Sequence, residues 1–101
     1  MSERFLRMLG LCAKAGRLVS GEEAVRLAAT KRQACLIVLD SGIAPGAREK
    51  YERLCTALSL PLIADYSGVG PAIGKESRMA AAVTDRGFAE ALHKIHTGQK
   101  T

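Results

Sequence analysis

The sequence predicts an α/β protein: a three-layer α/β/α sandwich around a small mixed four-stranded sheet. Three observations carry this. Apolar residues recur at helical spacing in several segments. The run Ala34 to Leu39 is short, continuous and β-branched at its centre, as expected for a strand buried on both faces. Helical and extended segments alternate along the whole chain, the pattern of a sheet covered by helices on both sides.

Phe5, Leu9 and Cys12, with Arg4, Arg7 and Lys14 opposite, form an amphipathic first helix that stops at Ala15-Gly16-Arg17. Leu18-Val19 is a short extended piece. Ser20 followed three residues later by Glu23 reads as a capping box, so a second helix starts there and runs to about Thr30, with Lys31 and Arg32 near its C-terminal end. Ala34 to Leu39 is a strand, closed by Asp40-Ser41-Gly42. After Pro45-Gly46, the residues Tyr51, Leu54, Cys55 and Leu58 mark a helix with Arg48, Glu49, Lys50 and Glu52 outside. Leu60 to Ala64 is a strand with Pro61 at its start or on an edge. Ser67 to Gly74 is a Gly-rich helical turn, and Met79 to Thr84 a last strand. Asp85 caps a terminal helix carrying Phe88, Leu92 and Ile95, with residues 97–101 expected to fray.

A chain of 101 residues with no linker or internal repeat reads as one domain, 1–101. With 15 Lys and Arg against 10 Asp and Glu the net charge is +5, which favours an acidic partner: nucleic acid, an anionic membrane surface or an acidic protein. No run of apolar residues is long enough for a transmembrane helix, and no secretory signal is expected. Cys12, Cys35 and Cys55 are odd in number, lack metal-ligand spacing and sit in apolar patterns. They read as buried free thiols of a reducing, cytoplasmic compartment.

Catalytic constellations are thin, and no enzyme is expected. The stretch Ser67 to Glu76 fails the Walker pattern, because Val69 holds its first glycine position and Glu76 its magnesium-binding hydroxyl position. It also fails G-x-G-x-x-G, since Ile73 replaces the third glycine, so no nucleotide cofactor is expected. His93 and His96, three apart on the last helix, read as solvated rather than as metal ligands. Asp40, at the end of the central strand, reads either as a functional carboxylate or as a turn or cap residue.

Two clusters remain. The first is Lys14, Arg17, Ser20, Gly21, Glu22, Glu23 and Arg26, a basic loop entering a helix N-terminus, where free N–H groups can hold a phosphate. The second is the loop Lys75, Glu76, Ser77, Arg78 before the last strand. If both lie at one side of the sheet they make a single basic edge. Only 4% of residues are aromatic, and three of the four fall on apolar helix faces, which favours structured RNA over stacked single strands.

Taken together, Leu9 to Val25, Leu36 to Asp40, Gly70 to Arg78 and Ala82 to Phe88 resemble the kink-turn-binding ribosomal protein family of archaeal L-seven-Ae type, in particular its bacterial YlxQ-like branch. The resemblance covers about four fifths of the chain by this matching of segments. It implies an α/β/α sandwich that binds kinked RNA stem-loops, with no enzymatic activity. The chain is expected to be a monomer, ribosome- or translation-associated, with RNA contacts at Lys14, Arg17, Ser20, Gly21, Glu22, Glu23 and Arg26, and at Ile73, Gly74, Lys75, Ser77 and Arg78. The family reads sheared G·A pairs with a Gly-x-Asn-Glu helix start and a Lys one turn on. Gly21 matches the glycine, but Glu23, Ala24 and Leu27 stand at the Asn, Glu and Lys positions. Those acidic and apolar departures support a second reading, an adaptor that binds ribosomal or translation-factor proteins.

Overall fold

A computed structural model describes residues 2–100. Helices α1 (Ser2–Lys14), α2 (Glu22–Thr30), α3 (Pro45–Leu58), α4 (Val69–Ala72) and α5 (Arg86–Lys100) alternate with strands β1 (Leu18–Ser20), β2 (Leu36–Asp40), β3 (Leu62–Tyr66) and β4 (Ala80–Val83). The strands form one mixed sheet in the order β1-β4-β2-β3, parallel between β2 and β3 and antiparallel elsewhere. This is the α/β fold that the alternation predicted.

Strand β2 organises the core, because all five of its residues are buried. Its side chains alternate between faces. Leu36 and Val38 pack with Phe5, Leu9 and Cys12 of α1, Val69 of α4 and Leu92 of α5. Ile37 and Leu39 pack with Val25 and Ala28 of α2 and with Tyr51 and Cys55 of α3. Three layers result: α1, α4 and α5 on one face, the sheet, then α2 and α3. No described helix is long and apolar enough to cross a membrane.

Strand β3 contains one extra residue. Val38 pairs with Ile63 but Asp40 pairs with Tyr66, so three steps on β3 match two on β2. The bulge turns Ile63 and Tyr66 to the same face, where Tyr66 stacks on Phe5 with ring centroids 4.1 Å apart.

Several sequence expectations need correction. Ser20 does not cap α2; it belongs to β1, paired with Ala81, and the N-cap is Gly21. Pairing with β4 continues through the Gly21 N–H, which donates to the Ala80 carbonyl at 3.0 Å, so the strand claims the residue that the local pattern assigned to a cap. Strand β2 begins at Leu36, because the amides of Gln33 and Ala34 fold back onto the Ala28 carbonyl to close α2. Helix α5 persists through residues 97–100 rather than fraying. The Thr97 hydroxyl bonds the carbonyls of His93 and Lys94, both at 3.1 Å. Thr101 lies outside the described residues. His96 is buried rather than solvated, its Nδ1 3.0 Å from the Tyr66 hydroxyl, while His93 is exposed. Cys12 and Cys55 are buried free thiols, but Cys35 is only half-buried.

Asp85 caps α5 as predicted, accepting the Phe88 amide at 2.9 Å. Asp40 resolves to the turn and cap reading. Its carboxylate is buried and accepts the amides of Gly42 at 2.8 Å, Gly68 at 2.8 Å and Val69 at 3.0 Å, so it closes its own turn and holds the start of α4.

Candidate nucleic-acid interface

All four strands direct one end to the same edge of the sheet: Ser20, Ala80, Asp40 and Tyr66 terminate there. The start of α2 and the loop 73–79 therefore meet. Gly21, with φ 94 and ψ 153, makes the sharp exit from β1. A side chain at that position would collide with the guanidinium of Arg78, which lies directly over it. This region of backbone space is open almost only to glycine. The sequence match of Gly21 to a family glycine thus has a local physical cause.

The loop takes its shape from α4. The backbone carbonyls of Lys75, Glu76 and Arg78 close in on Gly70, where an added Cβ would lie 2.6 to 2.7 Å from all three. The Lys75 amide donates to the Gly70 carbonyl at 2.9 Å, and the Arg78 amide to Lys75 at 2.9 Å. Ile73 packs its side chain onto the core and anchors the loop from inside. Gly74, at φ 77, turns the chain outward, and Lys75, Ser77 and Arg78 are exposed.

Arg78 and Ser77 line a half-open cavity of about 580 Å³ together with Gly21, Glu22 and Arg26 of the α2 region. Helix α3 supplies its far wall through Lys50 and Tyr51. Lys50 and Tyr51 were not legible as site residues, because nothing in the linear pattern tells which side of α3 faces α2. Glu22 is not free in this rim; it pairs with Arg26 at 3.6 Å. Burial pushes the Tyr51 hydroxyl above its ordinary pKa, Glu22 adds to the rise and Arg26 opposes it, so all three share one electrostatic neighbourhood. No side chain caps α2, which leaves the amides of its first turn available to an anion.

The remaining predicted residues are elsewhere or peripheral. Glu23 is exposed on the first turn of α2, and Ser20 is half-buried in β1. Lys14 lines a separate depression between α1 and α4, with Gly10, Leu11 and Pro71. Arg17 stands at the opposite end of β1 from Gly21, roughly 13 Å away at the usual rise per strand residue. Its carbonyl accepts the Thr84 amide beyond the far end of β4. The expected single basic edge therefore holds for Gly21, Arg26, Ser77 and Arg78 but not for Arg17.

RNA-binding protein YlxQ of Bacillus subtilis (strain 168) is 33% identical to the chain over 87 residues, covering 84% of this chain and 87% of that protein. The chain belongs to the YlxQ family. A solved structure of a protein of unknown function from Bacillus halodurans C superposes on this YlxQ family member with a TM-score of 0.85 at 32% identity, covering 90% of this chain and 94% of the other. The 15.5kD RNA binding protein of Giardia lamblia superposes with a TM-score of 0.76, covering 95% and 88%. At 16% identity that likeness shows that the YlxQ family member described here shares its fold. No protein-family model matches the chain.

Proposed function

We propose that this protein is a single-domain, monomeric, non-enzymatic RNA-binding protein of the cytoplasm that recognises structured, kink-turn-like RNA in association with the ribosome or the translation machinery. The observation that carries the reading is the meeting of Gly21 and Arg78. It sets an uncapped helix N-terminus beside an exposed guanidinium, in a cavity also edged by Arg26 and Lys50. Backbone amides and a guanidinium fork are both suited to phosphate oxygens. The names of the Bacillus subtilis relative and of the Giardia lamblia structure, both RNA-binding proteins, support the same reading.

At the three positions where the wider family reads bases, this chain offers Glu23, Ala24 and Leu27. A glutamate carboxylate cannot donate hydrogen bonds and repels phosphate. Recognition here therefore rests on RNA shape and backbone, with Arg78 and Lys75 as the leading phosphate contacts and Lys14 and Arg17 as peripheral ones.

The test is titration of a kink-turn RNA and a fully paired duplex control by fluorescence anisotropy across a salt series. Affinity for the kinked RNA should exceed that for the control and fall steeply with salt. Arg78→Ala should weaken binding for all sequences alike and reduce the log–log salt slope by about one unit. Equal affinity for both RNAs would remove the kink-turn assignment. Absence of binding at low salt, with capture of an acidic protein from RNase-treated lysate, would replace RNA binding by the adaptor reading.

A further inference from the structure

The end of the sheet opposite Gly21 carries a second cationic cavity, of about 730 Å³. It forms where β2 begins and where α2 and α3 end, with α5 as one wall. Arg32, Arg86 and Lys94 stand on its rim, over apolar surface from Leu36, Leu60 and Ala89. Strand β2 spans roughly 13 Å from Leu36 to Asp40 at the usual rise, so this cavity and the Gly21–Arg78 end are held apart by the length of the sheet.

Its cations are unspent. Glu90 sits one helical turn from both Arg86 and Lys94, yet none of Arg32, Arg86 and Lys94 makes an ion pair among the described residues. Arg–Glu pairs at the same spacing do close elsewhere, as in Glu3–Arg7 at 3.8 Å and Arg48–Glu52 at 3.1 Å. With Glu90 counted, the rim keeps a surplus of positive charge. Arg32 at φ 62 and Ser59 at φ 56 are the two non-glycine residues with positive φ among the described residues. Both form the left-handed turns that close α2 and α3, and those two helix ends line this cavity.

We infer that this cavity is a second nucleic-acid subsite. It takes a nucleotide unit, with phosphate on Arg32, Arg86 and Lys94 and sugar and base over the apolar floor. This rests on the RNA-binding reading and adds to it: the protein holds two RNA segments at once, from opposite ends of its sheet. Two planar guanidinium forks and one mobile ammonium can share the oxygens of a phosphodiester without further neutralisation.

Cys35 lines the same cavity and is half-buried, whereas Cys12 and Cys55 are buried with thiols pushed up to about 11. The rate of Cys35 alkylation at about pH 8 therefore reports occupancy. Single-stranded oligoadenylate should slow it. One neutralised phosphodiester gives a salt slope of about −0.7, so the concentration for half-protection should rise about 2.6-fold between roughly 50 and 200 mM salt. Arg32→Gly, which relaxes the backbone, should reduce protection with no loss of thermal stability, and Glu90→Gln should enhance it. Protection by adenosine monophosphate but not by the oligonucleotide would overturn the nucleic-acid assignment in favour of a free-nucleotide site. No protection by either, equal protection by poly-glutamate, or an Arg32→Gly protein that behaves as wild type would each overturn the inference. If kink-turn RNA binds in the anisotropy assay while Cys35 stays unprotected, this inference falls alone; if RNA binds in neither assay, both readings fall.

Discussion

Asp40 illustrates how one side chain can organise a site that it never enters. Its carboxylate gathers the amides of Gly42, Gly68 and Val69, and so ties the end of β2 to the start of α4 and, through α4, to the loop bearing Arg78. Replacing it by alanine orphans buried donors that had a charged acceptor. Asp40→Ala should cost about 3 kcal/mol in urea unfolding, with Asp40→Asn intermediate. The position was legible in the sequence but its role was not, because two of the three donors lie 28 and 29 residues away. The cysteines act at the same scale through protonation. Burial holds Cys12 and Cys55 protonated up to about pH 11 in the folded protein, while an unfolded thiol ionises from about 8.5. Across that window the unfolded state binds fewer protons, so stability should fall as pH rises and level off above the folded values. A Cys12→Ala, Cys55→Ala double variant, compared by urea midpoint between pH 8 and 11, should show a flatter profile than wild type.

Among the elements, those written in local pattern were recovered and those written by tertiary pairing were not. The helical repeat of Phe5, Leu9 and Cys12, the double-faced run of β2 and the Asp85 cap all follow from residues near in sequence. Ser20 shows the opposite case, since its place is decided by a partner strand some sixty residues on rather than by Glu23. The bulge in β3 is likewise invisible in the chain, as is the cavity wall contributed by α3. The last turns of α5 read as polar and therefore loose, yet His96 reaches Tyr66 and Phe5 in the core. Ending the chain after Lys94 should therefore lower the melting temperature measurably, because half-buried Ile95 and buried His96 go with it.

For the whole molecule, much of the +5 net charge gathers at two ends. Arg26, Lys50 and Arg78 border one cavity, and Arg32, Arg86 and Lys94 border the other. Composition reported the surplus, but the strand order determined where it went. Arg17 and Arg78 both looked like members of one patch, and the antiparallel pairing of β1 with β4 parts them. Charge reversal offers a direct comparison: Arg78→Glu should abolish kink-turn binding at moderate salt, whereas Arg17→Glu should weaken it no more than a few-fold, the size of a rim electrostatic effect. Similar losses from both would mean that the RNA wraps the length of the sheet.

Gly70 bears on how such a surface can change over time. Because three inward-turned carbonyls define the loop, its outline is set by an atom that is missing rather than by the side chains it displays. Positions 75 to 77 are thereby released to vary in charge and size, and a saturation library selected for folding should tolerate nearly any residue there while rejecting all but glycine at position 70. A surface built this way can change its charge and shape through mutations that leave the protein's stability untouched.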